Sequence, residues 1–377
     1  MTSRQMSYGD YLKIDGLLGQ QSPKSVELGA PAHDEMLFII VHQAHELWFK
    51  QILHELSSVM RMFSESTVDE KNMGVCVARL ERVTDIQKLL VDHIRVLETM
   101  TPLDFLEFRD LLSPASGFQS VQFRKIELML GLPGGERFGC PTSPFVTALS
   151  ASEVRDVRES AKEPSLFDLV ERWLERTPFL DVEGYSFWKS YREAVKGRLE
   201  ADVQAIKTHP TLPEENKLRQ LQEIQNTELS FEALFNEDVH SKLVKEGHRR
   251  LSLRATHAAL FINLYRDQPI LHMPFRLLTL LVDIDELLQT WRSQHAVMVH
   301  RMIGVKVGTG GSMGYPYLKS TVERFKIFND FFNLSTFLIP RSALPELPFE
   351  LKQRLAFAFH PNSQNAHSAE SWNQASP

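Results

Sequence analysis

Apolar residues recur along most of this 377-residue chain at the spacing of an α-helix. Residues three and four positions apart share one face of a helix, whereas residues two apart share one face of a strand. Near the N-terminus, for example, Leu37, Val41, Ala44 and Trp48 fall on one helical face. Strand-type alternation is scarce, so the sequence predicts an all-α fold. The predicted helices occupy residues 34–63, 69–97, 103–112, 118–130, 166–176, 187–206, 212–235, 251–265, 275–304 and 317–338.

Three regions are predicted along the chain. Residues 1–32 are expected to form an N-terminal arm, residues 33–341 a helical domain, and residues 342–377 a C-terminal tail. Residues 183–245 are more charged than their surroundings, which indicates a peripheral helical insertion into the domain. The end of the tail, residues 360–377, is polar and is predicted to be disordered.

Charge, hydropathy and cysteine content exclude several classes of protein. The formal net charge is −6 and no basic run is longer than a pair, which argues against nucleic-acid binding. No apolar stretch reaches the roughly 18 residues that a membrane helix needs, and the first residues lack a signal-peptide core. Cys76 and Cys140 are far apart in the sequence, which excludes a cysteine-based zinc site and covalent haem attachment. We therefore expect a cytoplasmic protein.

One helix with two histidines leads directly into a glycine-rich loop. His295 lies on an apolar face four residues after Trp291, and five glycines fall within residues 304–314. A histidine on a rigid helix can bind a metal ion or haem iron, and glycine lets backbone N–H groups approach a ligand closely. His300 is five residues further on, so the two rings point to different faces and at most one is a ligand. Spacing alone also fits ordinary structural histidines.

A second histidine pair lies in the first long helix. His42 and His45 are three residues apart, Glu46 is adjacent, and Phe38 precedes His42 by one turn. Such spacing occurs in metal sites of helical bundles, although chance pairs are expected in a chain with 14 histidines. Phe38 and His42 together would form a wall suited to a flat apolar ligand.

Two further patterns fit a small ligand. Arg109 follows Phe105 and Phe108, and an arginine among aromatic rings can bind a carboxylate through two hydrogen bonds. An ordinary salt bridge is the commoner role for such an arginine. Tyr8 and Tyr11, close to the chain end, indicate an arm that docks on a neighbouring subunit or on the chain's own core.

Taken in order, these motifs resemble the tryptophan 2,3-dioxygenase family. The resemblance covers about residues 8 to 341 and is therefore more specific than any one motif. It is strongest in residues 8–12, 33–51, 97–105, 108–109, 112–120, 173–178 and 291–317.

The resemblance implies a helical-bundle haem dioxygenase of the indoleamine and tryptophan dioxygenase type. Such an enzyme would bind one non-covalent haem b per subunit and would insert both atoms of O2 across the indole C2–C3 bond of L-tryptophan. The product would be N-formyl-L-kynurenine, in the first step of tryptophan catabolism. A homotetramer, a dimer of dimers, is expected, in which Tyr8 and Tyr11 of the arm reach a neighbouring subunit's active site.

The resemblance also implies roles for individual residues on the cofactor side. His295 falls on the position of the haem ligand. Ser116 falls at the edge of the haem, while Trp291 and Tyr317 match positions that line the haem region.

On the substrate side, His42 falls on the histidine that meets the indole N–H. Arg109 would bind the substrate carboxylate, and Thr309 would meet the amino-acid end. Phe38 and Phe105 would form the aromatic walls of the indole pocket.

The chain departs from the family pattern at a few positions. His45 stands where tyrosine is usual, Met36 replaces histidine, and Gln294 replaces asparagine before the ligand position. Met313 replaces a serine in the glycine-rich loop, and Pro316 is also unusual. Two other interpretations stay open: an enzyme with two non-haem metal ions bound by His42, His45 and nearby carboxylates, and a haem-binding sensor or scaffold without activity.

Overall fold

The structure is a computed structural model that describes residues 6–65, 68, 70–132, 149–178, 181–182, 185–308 and 314–356. Within these residues the chain is helical apart from one antiparallel pair of two-residue strands, β1 (Asp181–Val182) and β2 (Tyr185–Ser186). The predicted all-α fold is confirmed. None of the described helices combines the length and the apolar character that crossing a bilayer requires.

Within the described residues the chain forms seventeen α-helices. In chain order they are α1 (Tyr8–Leu12), α2 (Ile14–Leu18), α3 (Lys24–Glu27), α4 (Glu35–Phe63), α5 (Glu70–Leu97), α6 (Pro102–Phe108), α7 (Val121–Leu130), α8 (Ala151–Ser160), α9 (Leu166–Glu175), α10 (Phe187–Thr208), α11 (Glu214–Phe235), α12 (Glu237–Lys245), α13 (Leu253–Leu264), α14 (His272–Ile303), α15 (Tyr315–Arg324), α16 (Asn329–Asn333) and α17 (Phe349–Leu355). Short 3₁₀ turns lie at Arg109–Leu112, Gly117–Gln119, Pro269–Leu271, Leu334–Phe337 and Arg341–Ala343.

The chain divides into two compact units. The first comprises Met1–Trp173 and Leu277–Asn333. Its core forms where α4 packs against α5 and α7, and Leu56 and Leu80 at that interface are fully buried. Burying a leucine side chain contributes about 1.5–3 kcal/mol relative to leaving it in water, so such contacts hold α4 rigidly in place.

Side-chain caps fix the start of the elements between α5 and α7. Thr101 and Asp104 form a reciprocal capping box at the start of α6, with Pro102 at the first helical position. Ser116 and Gln119 form a second box at the next 3₁₀ turn. Each cap satisfies backbone N–H groups that a helix end otherwise leaves without partners. Hydrogen bonds therefore fix where these short elements of the first unit begin.

The predicted helix over residues 317–338 is wrong. The structure forms α15, then a break, then α16 and a 3₁₀ turn. At the break the buried carboxylate of Asp285 accepts hydrogen bonds from the backbone N–H groups of Ile327 and Phe328, both at 2.9 Å. A partner outside the segment thus takes the donors that a continuous helix would have used.

The second unit comprises Leu174–Arg276 and Leu334–Pro377. Its core is aromatic: the rings of Phe187, Tyr191 and Phe261 are fully buried, and the Tyr191 hydroxyl donates to the backbone carbonyl of Phe337. The predicted arm, domain, insertion and tail stay predictions, and residues 360–377 of the tail lie outside the described residues.

Candidate functional site

A cavity in the first unit is lined by two histidine-bearing helices, α4 and α14. Helix α4 contributes Phe38, His42 and His45, and α14 contributes Trp291 and His295. All five were singled out from the sequence, and the structure brings them to one cavity. Apolar residues continue the wall towards the ends of α5 and α14, namely Ile94, Leu97, Met100, Met298, Met302 and Ile303.

His42 presents one ring nitrogen without a proton to the cavity. Its Nδ1 donates to the backbone carbonyl of Phe38 at 2.7 Å, so its Nε2 carries a lone pair in the neutral ring. The His42 ring is accessible to a molecule in the cavity, and protein side chains surround that cavity. Loss of water on burial lowers the pKa of His42, although the Phe38 carbonyl and the Glu46 carboxylate act in the opposite direction. His42 is therefore a neutral hydrogen-bond acceptor.

His295 is held by stacking rather than by hydrogen bonds. Its ring lies parallel to the indole of Trp291, with an interplanar angle of 3° and 5.2 Å between ring centroids. It makes no hydrogen bond with any residue that the structure describes. Burial lowers its pKa to about 4, and the nearby His42 and His45 act in the same direction. A neutral imidazole with an available ring nitrogen is the form that binds a metal ion.

Trp291 also contacts His45 on the facing helix. The indole Nε1 donates to His45 Nε2 at 3.5 Å, while His45 Nδ1 donates to the backbone carbonyl of Val41 at 2.8 Å. Burial lowers the pKa of His45 to about 4, and His42 and His93 act in the same direction, whereas the backbone carbonyls of Val41 and Leu90 act in the opposite direction. His42 and His45 thus direct their nitrogens to different partners. Within the described part of the chain, no cluster of three histidine, cysteine or acidic side chains could hold a metal ion.

Arg109 lies where α6 passes into a 3₁₀ turn, at the edge of the cavity. Its guanidinium donates to the backbone carbonyl of Val307, and its Nε atom is buried without a hydrogen-bond partner. Phe105 lies one turn earlier and packs on Phe38, with 5.8 Å between ring centroids. A buried donor beside aromatic walls can take an anionic group attached to a flat apolar body.

The remaining site predictions lie at different places. Ser116 lines the cavity. Tyr317 does not line it, but the Tyr317 ring packs on Phe118, which is a lining residue. Tyr8 and Tyr11 lie on α1 with 78% and 71% of their surface exposed, and neither lines the cavity.

Thr309 lies outside the described residues. The glycines on either side of that gap, Gly308 and Gly314, both line the cavity. Gly314 has a φ of 59°, a conformation that favours glycine.

Two arginines at the cavity were not singled out from the sequence. Arg124 Nη1 and Glu127 Oε2 are 2.6 Å apart, and Arg292 Nη2 and Glu127 Oε1 are 2.8 Å apart, with all three side chains nearly buried. Arg124 and Arg292 both line the cavity. The three-residue spacing of Arg124 and Glu127 fits an ordinary helical ion pair. Only the position of Arg292 directly after Trp291 hinted at a site role.

Comparison with known protein sequences adds an independent finding. The family model described as "Tryptophan 2,3-dioxygenase" matches residues 1–338. The chain is 53% identical over 352 residues to a tryptophan 2,3-dioxygenase of Bdellovibrio bacteriovorus, and the match covers 93% of this chain and 98% of that protein. It is 49% identical over 353 residues to one of Dictyostelium discoideum, covering 93% and 88% of the two chains. It is also 49% identical over 342 residues to one of Xenopus laevis, covering 90% and 84%.

Proposed function

Because this chain belongs to the tryptophan 2,3-dioxygenase family, it is a haem-dependent dioxygenase of L-tryptophan, and we propose that its reaction takes place in the cavity between His42 and His295. The product is N-formyl-L-kynurenine, formed when both atoms of O2 enter across the indole C2–C3 bond. The single observation that carries the proposed site is that His42 and His295 present available ring nitrogens to one cavity.

The residues around the cavity fit a haem. His295 offers one neutral imidazole on a rigid helix, as haem iron requires. Arg124 and Arg292 supply two buried guanidinium groups, and the Nε atom of Arg292 has no hydrogen-bond partner. Guanidinium groups of this kind are suited to the propionates of haem. Haem b bound without a covalent link, one per subunit, is the form we propose, since neither cysteine is followed by the histidine of a haem-attachment motif.

Haem, when bound, supplies the iron chemistry that activates O2. The protein's own task is to orient the substrate beside it. Arg109 would bind the carboxylate of tryptophan through its fork of N–H donors, one of which is buried without a partner. Phe38 and Phe105 would enclose the indole ring, and Ser116 would contact the edge of the haem. Thr309 would meet the ammonium group.

His42 would fix the rotation of the indole ring. Its Nε2 lone pair would accept the indole N–H, because Nδ1 is already committed to the Phe38 carbonyl. We propose that His42 positions the substrate and is not an obligatory base, since the indole C3 carbon is nucleophilic with the N–H intact. A neutral imidazole suits this role because it accepts a hydrogen bond without taking the proton.

The exposed N-terminal arm supports an oligomer. In the single chain, most of the surface of Tyr8, Tyr11 and Leu18 is exposed to solvent. Apolar surface of that kind usually meets a partner. A homotetramer in which the arm reaches a neighbour's active site is the arrangement we propose. A cytoplasmic location is proposed on the free thiol of Cys76 and the absence of paired cysteine motifs in the sequence.

The absorption spectrum of the ferrous protein tests the proposed function. It is recorded with and without L-tryptophan and then after O2 is admitted. We expect a Soret band that shifts with tryptophan, followed by growth of N-formylkynurenine absorbance in the near ultraviolet. His295→Ala should lose the Soret band, whereas His54→Ala, at an exposed position of α4, should keep it.

Three outcomes would contradict the proposal. A His295→Ala variant with an unchanged Soret spectrum would show that the ligand assignment is wrong. Bound iron without porphyrin would favour an enzyme with two non-haem metal ions. A Soret band without product would indicate a relative that binds haem and does not catalyse.

A further inference from the structure

Trp291 joins two histidines that lie on different helices. Its indole ring is parallel to the ring of His295, within 3°, and its N–H group points at His45 on α4. His295 and Trp291 are four residues apart on α14, so they stack along one helix face. His45 is 246 residues away in the sequence from Trp291 and is brought to it by the packing of the first unit.

The orientation of His45 makes it an acceptor for Trp291. The carbonyl of Val41, one turn earlier on α4, accepts from His45 Nδ1 at 2.8 Å. Nδ1 therefore carries the proton, and Nε2 is left with the lone pair that meets the indole N–H at 3.5 Å. Burial keeps the ring neutral, since the pKa of His45 is lowered to about 4.

Trp291 is held on a second side by an aromatic ring. Phe123 of α7 packs on the indole, with 5.0 Å between ring centroids and 39° between the planes. The hydrogen bond to His45 fixes the direction of the N–H edge, and the Phe123 contact restricts tilting. Together they give the indole one orientation.

His295 depends on that orientation. A metal-binding histidine ordinarily donates its second ring N–H to a carboxylate or a carbonyl, which fixes the plane of the ring. His295 has no such partner among the described residues. Its parallel contact with Trp291 therefore constrains the plane of the ring.

We propose that His45 is a positioning residue for haem ligation, because it fixes the indole of Trp291 and that indole fixes the plane of the His295 imidazole. The inference rests on His295 as the haem ligand proposed above. A ligand held in one orientation loses less freedom when it binds iron, so the haem is held more tightly and in one geometry.

The first test examines the hydrogen bond in the apoprotein. A ¹⁵N-labelled sample should give five indole N–H signals, one for each tryptophan, and Trp291→Phe identifies the signal of Trp291. His45→Phe should move that signal because it removes the acceptor. His45→Gln, whose side-chain oxygen can replace Nε2 as acceptor, should restore much of its position, and His54→Phe on the exposed side of α4 should leave it unchanged.

The second test examines the haem. In the holoenzyme, His45→Phe should release haem to excess apomyoglobin about 10-fold faster, the low end of the effect of removing an outer-shell partner. It should also broaden or shift the iron–imidazole stretching band in the resonance Raman spectrum of the ferrous form. His45→Gln should lie near the wild type, and His54→Phe should match it.

Trp291→Phe keeps a flat ring but has no N–H to donate, which gives a second route to the same defect. In the double variant with His45→Phe, the increase in haem release rate should be much smaller than the product of the increases in the two single variants, because both substitutions remove the same interaction. Multiplying effects, or a haem release rate and stretching band unchanged in His45→Phe, would overturn the inference. If His295→Ala itself kept its haem spectrum, the ligand assignment would fail first, so the two failures are distinguishable.

Discussion

His42 offers its lone pair to the cavity because its own helix takes the other ring nitrogen. The carbonyl of Phe38, one turn earlier, accepts from Nδ1 at 2.7 Å. The helix thus selects the tautomer as well as the position of the ring. The orientation of a histidine nitrogen depends on its second partner, and here that partner is part of the backbone.

Replacing His42 with alanine should weaken catalysis without abolishing it. The change removes one neutral hydrogen bond to the indole N–H, worth about 0.5–1.5 kcal/mol, so kcat/KM for L-tryptophan should fall by roughly 2- to 13-fold. For 1-methyl-L-tryptophan, which has no indole N–H, the same substitution should change kcat/KM far less. Steady-state oxygen uptake with both substrates measures the difference. Complete loss of turnover with an intact haem spectrum would instead identify His42 as an essential base.

At the scale of single residues, the sequence predicted which side chains line the cavity more successfully than it predicted the contacts that those side chains make. Phe38 and His42 share a helix face, and that periodicity is visible in the sequence. The contact between His45 and Trp291 spans 246 positions and has no local signature. His300, by contrast, was expected to point away from His295, and it is exposed and packs on Tyr315.

Helices α7 and α14 are joined by a buried ion pair. Glu127 of α7 lies within 2.8 Å of a guanidinium nitrogen of Arg292 on α14, with 2% and 4% of the two side chains exposed. Arg292 Nη1 also donates to the carbonyl of Phe325 at 2.7 Å. These bonds fix α14 against α7 and against the backbone after α15.

Replacing Glu127 with alanine should destabilise the protein strongly. The change leaves the buried guanidinium groups of Arg124 and Arg292 without this carboxylate, and breaking a buried pair in that way costs about 3–5 kcal/mol. Chemical unfolding of the apoprotein measures the free energy of unfolding. As a control, Asp85→Asn breaks an ion pair with Lys88 that is mostly in water and should cost little. Equal losses in the two variants would show that the buried pair has no special weight.

Elements with a long apolar stripe were predictable from the sequence to within a residue or two, as α4 and α5 show. The segment after α15 was not, because Asp285 captures the backbone N–H groups of Ile327 and Phe328. Helix α8 was missed although Ser150 and Glu153 form a capping box at its start. That spacing is a local signal for a helix N-terminus.

The whole apoprotein should lose stability as the pH falls from 6.5 towards 4. His45 and His295 have pKa values of about 4 when folded, compared with 6.5 for an unburied histidine. Between these values the unfolded chain binds more protons than the folded one, so protonation favours unfolding. Above pH 6.5 both states are neutral at these positions and the effect vanishes.

The measurement is urea unfolding of the apoprotein at several pH values between 7 and 4. His45→Gln removes one of the buried titrating histidines and should make the curve of unfolding free energy against pH less steep. His54→Gln, an exposed position on the same helix, should leave the steepness as it is. A wild-type curve that stays flat over this range would contradict the expectation.

The arginines beside the cavity have a consequence for the supply of folded protein. Arg124 and Arg292 place two guanidinium groups in a nearly dry interior, where the carboxylates of Glu127 and Asp285 act on them. Under the proposed site, the propionates of haem would add further anionic partners, and a ligand that binds only the folded state raises its population. Haem availability during synthesis would then set how many chains survive quality control, so that the abundance of this protein follows the metabolism of its cofactor.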